Sequence, residues 1–137
     1  MKNATIIKSN KELNTYEKYD LISSPSISAL KTLENREIIG VGNWCIYSTT
    51  DDKGKEMEIL SIQDSFTGMV YAGQSETFRT EFEKILDMVS NMGETDFYIE
   101  ALTRKSKAGR DYIICALVSP ENVQKRLGSS AMNEPIK

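Results

Sequence analysis

A chain of 137 residues with 39% hydrophobic and 27% charged side chains suits one folded domain with an arm or tail. Its 17 cations and 20 anions leave a net charge of −3, so a nucleic-acid contact would need a local basic patch, because global attraction is absent. Histidine is absent, which removes histidine general bases, Ser-His-Asp triads and nearly every zinc site; no apolar run is long enough to span a membrane.

Residues 1–35 read as an N-terminal arm packed partly on the domain. Thr5-Ile6-Ile7 is strand-like, Lys8 to Asp20 is polar, and Ser23-Ser24-Pro25-Ser26 is a loop signal. Met1 to Lys8 has no secretory apolar core, so an intracellular protein is expected. Ile38 to Tyr47 is a long strand candidate. Its Gly40 and Gly42, two residues apart, mark a bend, a bulge or a close backbone approach. On simple alternation Trp44 shares a face with Ile38, Gly40, Gly42 and Ile46, so it is either core or an exposed ring. Thr49 to Lys55 is a polar turn. Glu56 to Asp64 is a second strand whose imperfect alternation points to a bulge or to burial on both faces. A short third strand, 69–72, follows the turn at Ser65 to Gly68.

Phe78, Phe82, Ile85, Leu86 and Val89 recur at the spacing of one helical face and predict a helix over 76–91. Ser75 or Thr77 suits its N-cap, Glu76 its first turn and Gly93 its C-terminal end. Two more strands are expected at 96–103 and 110–118. In the first, Phe97, Ile99 and Ala101 form one face and Tyr98, Glu100, Leu102 and Arg104 the other, more polar one. After Pro120 the chain reads as a polar tail, partly disordered, with a short helical turn near 123–127. Cys45 and Cys115 lie in strand-like runs and read as buried apolar residues.

The order β-β-β-α-β-β over residues 36–118 is the order of a five-stranded OB-type barrel, a mainly β fold with one helix between its third and fourth strands. Such barrels commonly bind single-stranded nucleic acid or oligosaccharide. The hairpin between the last two strands carries Arg104, Lys105, Lys107 and Arg110 against Asp111 alone, a local excess of cations in an acidic chain. It is either a solubilising tip or a tracker of phosphates. Trp44, Tyr47, Tyr71, Tyr98 and Tyr112 all fall in strands, where a ring is either core or a stacking surface for bases. Lys53 and Lys55, in the first hairpin, are further phosphate candidates. Asp51 to Lys55 lacks the spacing of a calcium loop, and no metal, cofactor or catalytic residue is expected.

The run Gly68-Met69-Val70-Tyr71-Ala72, then Ser75 and Phe78, then Asp96-Phe97-Tyr98-Ile99 and Lys107-Ala108-Gly109-Arg110-Asp111-Tyr112 resembles the small single-stranded-DNA-binding proteins of phages and mobile elements of Gram-positive bacteria. The similarity spans roughly residues 30–118. It implies an OB domain that coats a displaced strand during replication in the bacterial cytoplasm, with Tyr71, Tyr98 and Tyr112 stacking and Lys105, Lys107 and Arg110 on phosphates. RNA binding, homo-oligomer formation and replication-protein partners stay open. The end of the chain, Met132 to Lys137, lacks the acidic run and apolar tip through which cellular single-strand-binding proteins recruit enzymes. A different reading makes the same barrel a protein–protein module that blocks a host factor, with an apolar open face as its signature.

Overall fold

The structure, a computed structural model, describes residues 4–93 and 96–133, the stretch 128–133 as helix backbone alone. The elements are β1 (Thr5–Ser9), α1 (Thr15–Lys18), a π-helical turn (Tyr19–Ser23), β2 (Ser28–Ala29), a 3-10 turn (Leu30–Thr32), β3 (Ile38–Thr50), β4 (Glu56–Asp64), β5 (Val70–Gly73), α2 (Glu76–Asn91), β6 (Phe97–Lys105), β7 (Asp111–Val118) and α3 (Pro120–Asn133). They form a mainly β domain: one curled, open sheet with helices against it.

Along the sheet the order is β2-β5-β4-β3-β6-β7, and β1 joins β3 off that path. β3 is the spine. β4 runs antiparallel along one of its edges. The other edge is shared: Ile38 to Val41 take β6, and Cys45 to Ser48 take β1. β1 therefore covers the length of edge that β6 leaves open, which is the strand expected at Thr5-Ile6-Ile7. Among the described residues no ladder joins the β5/β2 end of the sheet to β7, so the barrel stays open. Side chains bridge part of the gap. The hydroxyls of Ser75 and Thr77, at the start of α2, donate to the Ile113 carbonyl at 3.3 and 2.8 Å.

The register of β3 shifts between Val41 and Trp44. Before the shift Ile39 and Val41 enter the main core; after it Trp44 and Ile46 do, so the inward parity changes from odd to even. Simple alternation therefore misassigns the strand: Ile38 and Trp44 lie on opposite sides. The two glycines explain where the bend falls. A Cβ on Gly40 would sit 2.1 Å from Ser65 Oγ, and one on Gly42 would sit 3.0 Å from the Gln63 carbonyl oxygen. β4 approaches Gly42 and the turn after it approaches Gly40 so closely that a side chain at either position would have to push its neighbour aside.

α2 has the predicted bounds. Ser75 caps it, accepting from the Phe78 N–H at 3.1 Å, and Phe78, Phe82, Ile85 and Val89 are buried. Phe82 meets Trp44 edge-on at 5.5 Å between ring centroids. This face closes the main core over Ile39, Ile62, Ile99 and Ala101.

Two segments differ from the sequence reading. Residues 10–27 cover the other side of the sheet: Leu13 and Leu21 are buried against Cys45, Tyr47 and Val70, whereas Leu30 turns into the main core. The buried Ser61 hydroxyl donates to the Leu21 carbonyl at 2.6 Å and pins the layer to β4. The expected polar tail is α3. Ser119 caps it by accepting from the Asn122 N–H at 3.1 Å, Pro120 opens it and Glu121 sits in its first turn. Residues 128–133, expected to be disordered, continue this helix, while 134–137 lie outside the described residues. Val123 is buried with Ile38 and Val118, which ties the helix to the sheet.

Candidate nucleic-acid interface

Five aromatic side chains were expected to divide between core and binding face. Three belong to the interior: Trp44 is 6% exposed, Tyr47 6% and Tyr71 8%. Trp44 and Tyr71 flank Ile62 across three neighbouring strands and point at α2. Tyr47 points the other way, under Leu13 and Leu21. None of these three rings can take a base without unfolding the layer above it. Burial pushes both hydroxyls upward in pKa, more weakly assisted by Cys45 at Tyr47 and by Glu37 and Asp64 at Tyr71.

Tyr98 is on the outer face of β6, as alternation places it, but it is half-buried. One side of its ring stacks on Phe66. The rest packs on the cluster of Ile38, Val118 and Val123. It is not an open stacking surface. Tyr112 alone of the five is exposed, at 38%.

The basic hairpin is built by its own backbone. Ser106 donates its N–H to the Arg110 carbonyl and accepts the Gly109 N–H on its own, at 2.8 and 2.9 Å; Gly109 takes the left-handed φ of 83° that the turn requires. Lys105 pairs with Asp111 at 3.0 Å, but both side chains are largely exposed, so the pair is weak. Arg104 Nη1 donates to the Thr103 carbonyl at 3.1 Å. Among the described residues Lys107 and Arg110 have no ion-pair partner.

Lys53 and Lys55 sit on the turn organised by Asp51, whose Oδ1 accepts both of their backbone N–H groups at 2.9 Å. That turn follows the C-terminal end of β3. The β6–β7 hairpin projects beyond the other end, because Glu100 pairs with Ile38 and β6 runs on to Lys105. The two basic turns are therefore not one patch along the strand, and Lys53 and Lys55 leave the candidate site.

What the fold does bring together is a cleft of about 690 Å3 at the open seam, lined by Lys31, Ser75, Thr103, Arg104, Lys105, Asp111, Tyr112 and Ile113. Arg104 and Tyr112 are cross-strand partners, so they share the outer face of β6–β7. Lys31 comes from the opposite wall, on the 3-10 turn after β2. Sequence reading missed it, since a lone lysine 73 positions before Arg104 carries no pattern. Its neighbour Leu30 is 2% exposed and packs on Gly73, which turns Lys31 outward.

Both cysteines are free and buried, and burial pushes each thiol up to about 12, so neither is poised as a nucleophile. No helix among the described residues is long and apolar enough to cross a membrane. Comparison with known proteins finds no matching family model, no matching curated protein and no matching solved structure.

Proposed function

We propose that this chain binds single-stranded nucleic acid without sequence preference, making and breaking no bond. The observation that carries the reading is the seam cleft: Lys31, Arg104 and Lys105 against one acid, beside the exposed Tyr112 ring, with Lys107 and Arg110 close by on the hairpin. Cations and an aromatic face in one groove are what a phosphate backbone with unpaired bases requires. A chain of net charge −3 has no general attraction to nucleic acid, so this local excess is the source of affinity.

Support for an OB-type barrel comes from the order β5-β4-β3-β6-β7 with α2 between β5 and β6. It is the OB order without the closing ladder. The resemblance to single-strand-binding proteins of phages and mobile elements adds the setting: protection of strands during replication or recombination in a bacterial cell.

The test is a polarisation titration of labelled oligo-dT at two salt concentrations, with the parent and with Lys105, Lys107 and Arg110 all changed to Ala. The triple variant should bind every sequence more weakly and with a flatter salt slope. Absence of binding by the folded parent at low salt would reject the reading in favour of a protein partner.

A further inference from the structure

We infer that the strand is held over a short footprint, at the seam, by a clamp in which Lys31 and the Arg104–Tyr112 pair grip one nucleotide and its flanking phosphates from opposite walls. This rests on the single-strand reading above and says where and over what length the strand is held.

An OB barrel ordinarily lays its strand across an exposed sheet face and covers about 4–16 nucleotides. Here that face is occupied by the chain itself. Residues 10–27 lie over Cys45, Tyr47 and Val70, and Ser61 bonds to the backbone of Leu21. At the other end of the sheet α3 packs beside Tyr98 through Val123, and Arg126 bonds Glu100. What stays open on the outer face of β6–β7 is its hairpin end, where Arg104 lies opposite Tyr112.

Two walls then define the clamp. Tyr112 offers one ring, enough for one base. Arg104 stands beside it on the same face, ready for a phosphate next to that base, while Lys105, one residue on, turns to the other face of β6 and pairs with Asp111 at the rim of the cleft. Lys31 faces them from the 3-10 turn, held outward by the buried Leu30. With one exposed ring among the candidates and cations on both walls of one cleft, the site has contacts for a few nucleotides only. Further residues of a long strand would hang free in solvent.

The experiment is a length series of labelled oligo-dT and oligo-U, from dinucleotides upward, with the parent, Lys31→Ala and Tyr112→Ala, each checked by a melting curve. Both positions are exposed, so the folded state should survive. Per-site affinity of the parent should level off below about 4 nucleotides, the lower limit for an OB face. Tyr112→Ala should bind about 5- to 150-fold more weakly, the loss of one base–aromatic stack. Lys31→Ala should weaken binding by the same factor at every length beyond the plateau. Oligo-U, which adds a 2′-hydroxyl and lacks the thymine 5-methyl, should level off at the same length, because contacts to phosphates and to one ring face use neither group. Affinity that climbs steadily to ten or more nucleotides, or an unchanged Lys31→Ala curve, overturns the clamp while leaving single-strand binding intact. No binding at any length removes the functional reading itself.

Discussion

Phe66 and Tyr98 lie face to face, with ring centroids 5.6 Å apart and planes 12° apart. They come from the β4–β5 turn and from β6, and they stack beside Gly40, the cross-strand partner of Tyr98, where a Cβ would lie in ordinary contact with the Phe66 ring at 3.5 Å. Tyr98 thus spends its accessible face on an internal partner. Tyr98→Ala should cost about 1–3 kcal/mol of stability, through lost packing and a lost ring pair. It should leave oligonucleotide affinity unchanged. Urea unfolding and a titration on the same preparation decide the matter. A stable variant that binds poorly would return Tyr98 to the interface.

The glycine pair in β3 predicts a graded series. At Gly40 the obstruction to a methyl group is the Ser65 hydroxyl, and at Gly42 it is the Gln63 backbone carbonyl. A hydroxyl can be rotated or deleted, whereas a backbone carbonyl cannot move without the turn. Gly42→Ala should cost roughly 1–3 kcal/mol, the range of an overpacked site. Gly40→Ala should be substantially rescued by Ser65→Ala, with a favourable coupling in the double-mutant cycle. Equal costs for both glycines, with no rescue, would mean that the close approach is not what the glycines serve.

Glu100 gives the fold an acid-sensitive latch. Its Oε1 accepts from Arg126 of α3 at 2.7 Å and from Arg36 at 3.3 Å, and Arg126 also bonds the Arg36 carbonyl. Burial pushes the Glu100 carboxyl up, but the hydrogen bonds and charges of Arg126 and Arg36 outweigh it and hold it below its usual range. A pKa lower in the folded than in the unfolded chain means a stability contribution present above the ordinary carboxylate pKa and lost as pH falls through the folded value. Glu100→Gln should therefore be less stable than the parent near neutral pH, with the gap narrowing on acidification. Thermal melts across the acidic range measure this. A gap independent of pH would show that the latch acts through shape alone.

The legible part of this chain was its regular part. The α2 face declared itself by the repeat of Phe78, Phe82, Ile85 and Val89, and the strands by their flanking turns. The register shift in β3 was announced by Gly40 and Gly42, yet its effect on parity was not: one extra residue moved Trp44 from the assigned face of Ile38 to the opposite side. The covering role of residues 10–27 was hidden because Leu13 and Leu21 are isolated apolar residues in polar sequence, and isolated anchors have no period. α3 was readable in part, since Ser119-Pro120-Glu121 is a helix-start signal, but Val123 alone marks its buried face. Of the site, the hairpin cations and Tyr112 were visible as types. Lys31 was not, because only the curl of the sheet brings it to them.

On the single-strand proposal, Asp111 limits the strength of the seam. Among the described residues it is the only acid lining the cleft; it pairs with Lys105 at 3.0 Å and precedes Tyr112. The pair is exposed and contributes little to stability, so its removal should scarcely affect folding. For a bound strand its effect is larger: the carboxylate repels phosphate and occupies the ammonium that would otherwise meet it. Asp111→Asn should tighten oligonucleotide binding at low salt and steepen the salt slope, since Lys105 would then neutralise a further phosphate and release its counterion. The melting temperature should stay within the spread of ordinary surface substitutions, about ±0.5 kcal/mol in stability. Combining Asp111→Asn with Lys105→Ala separates the two effects: any gain that remains is relief of repulsion, and any gain that vanishes came from the freed lysine. Unchanged or weaker binding by Asp111→Asn would place the phosphates away from this end of β7, and with them the strand.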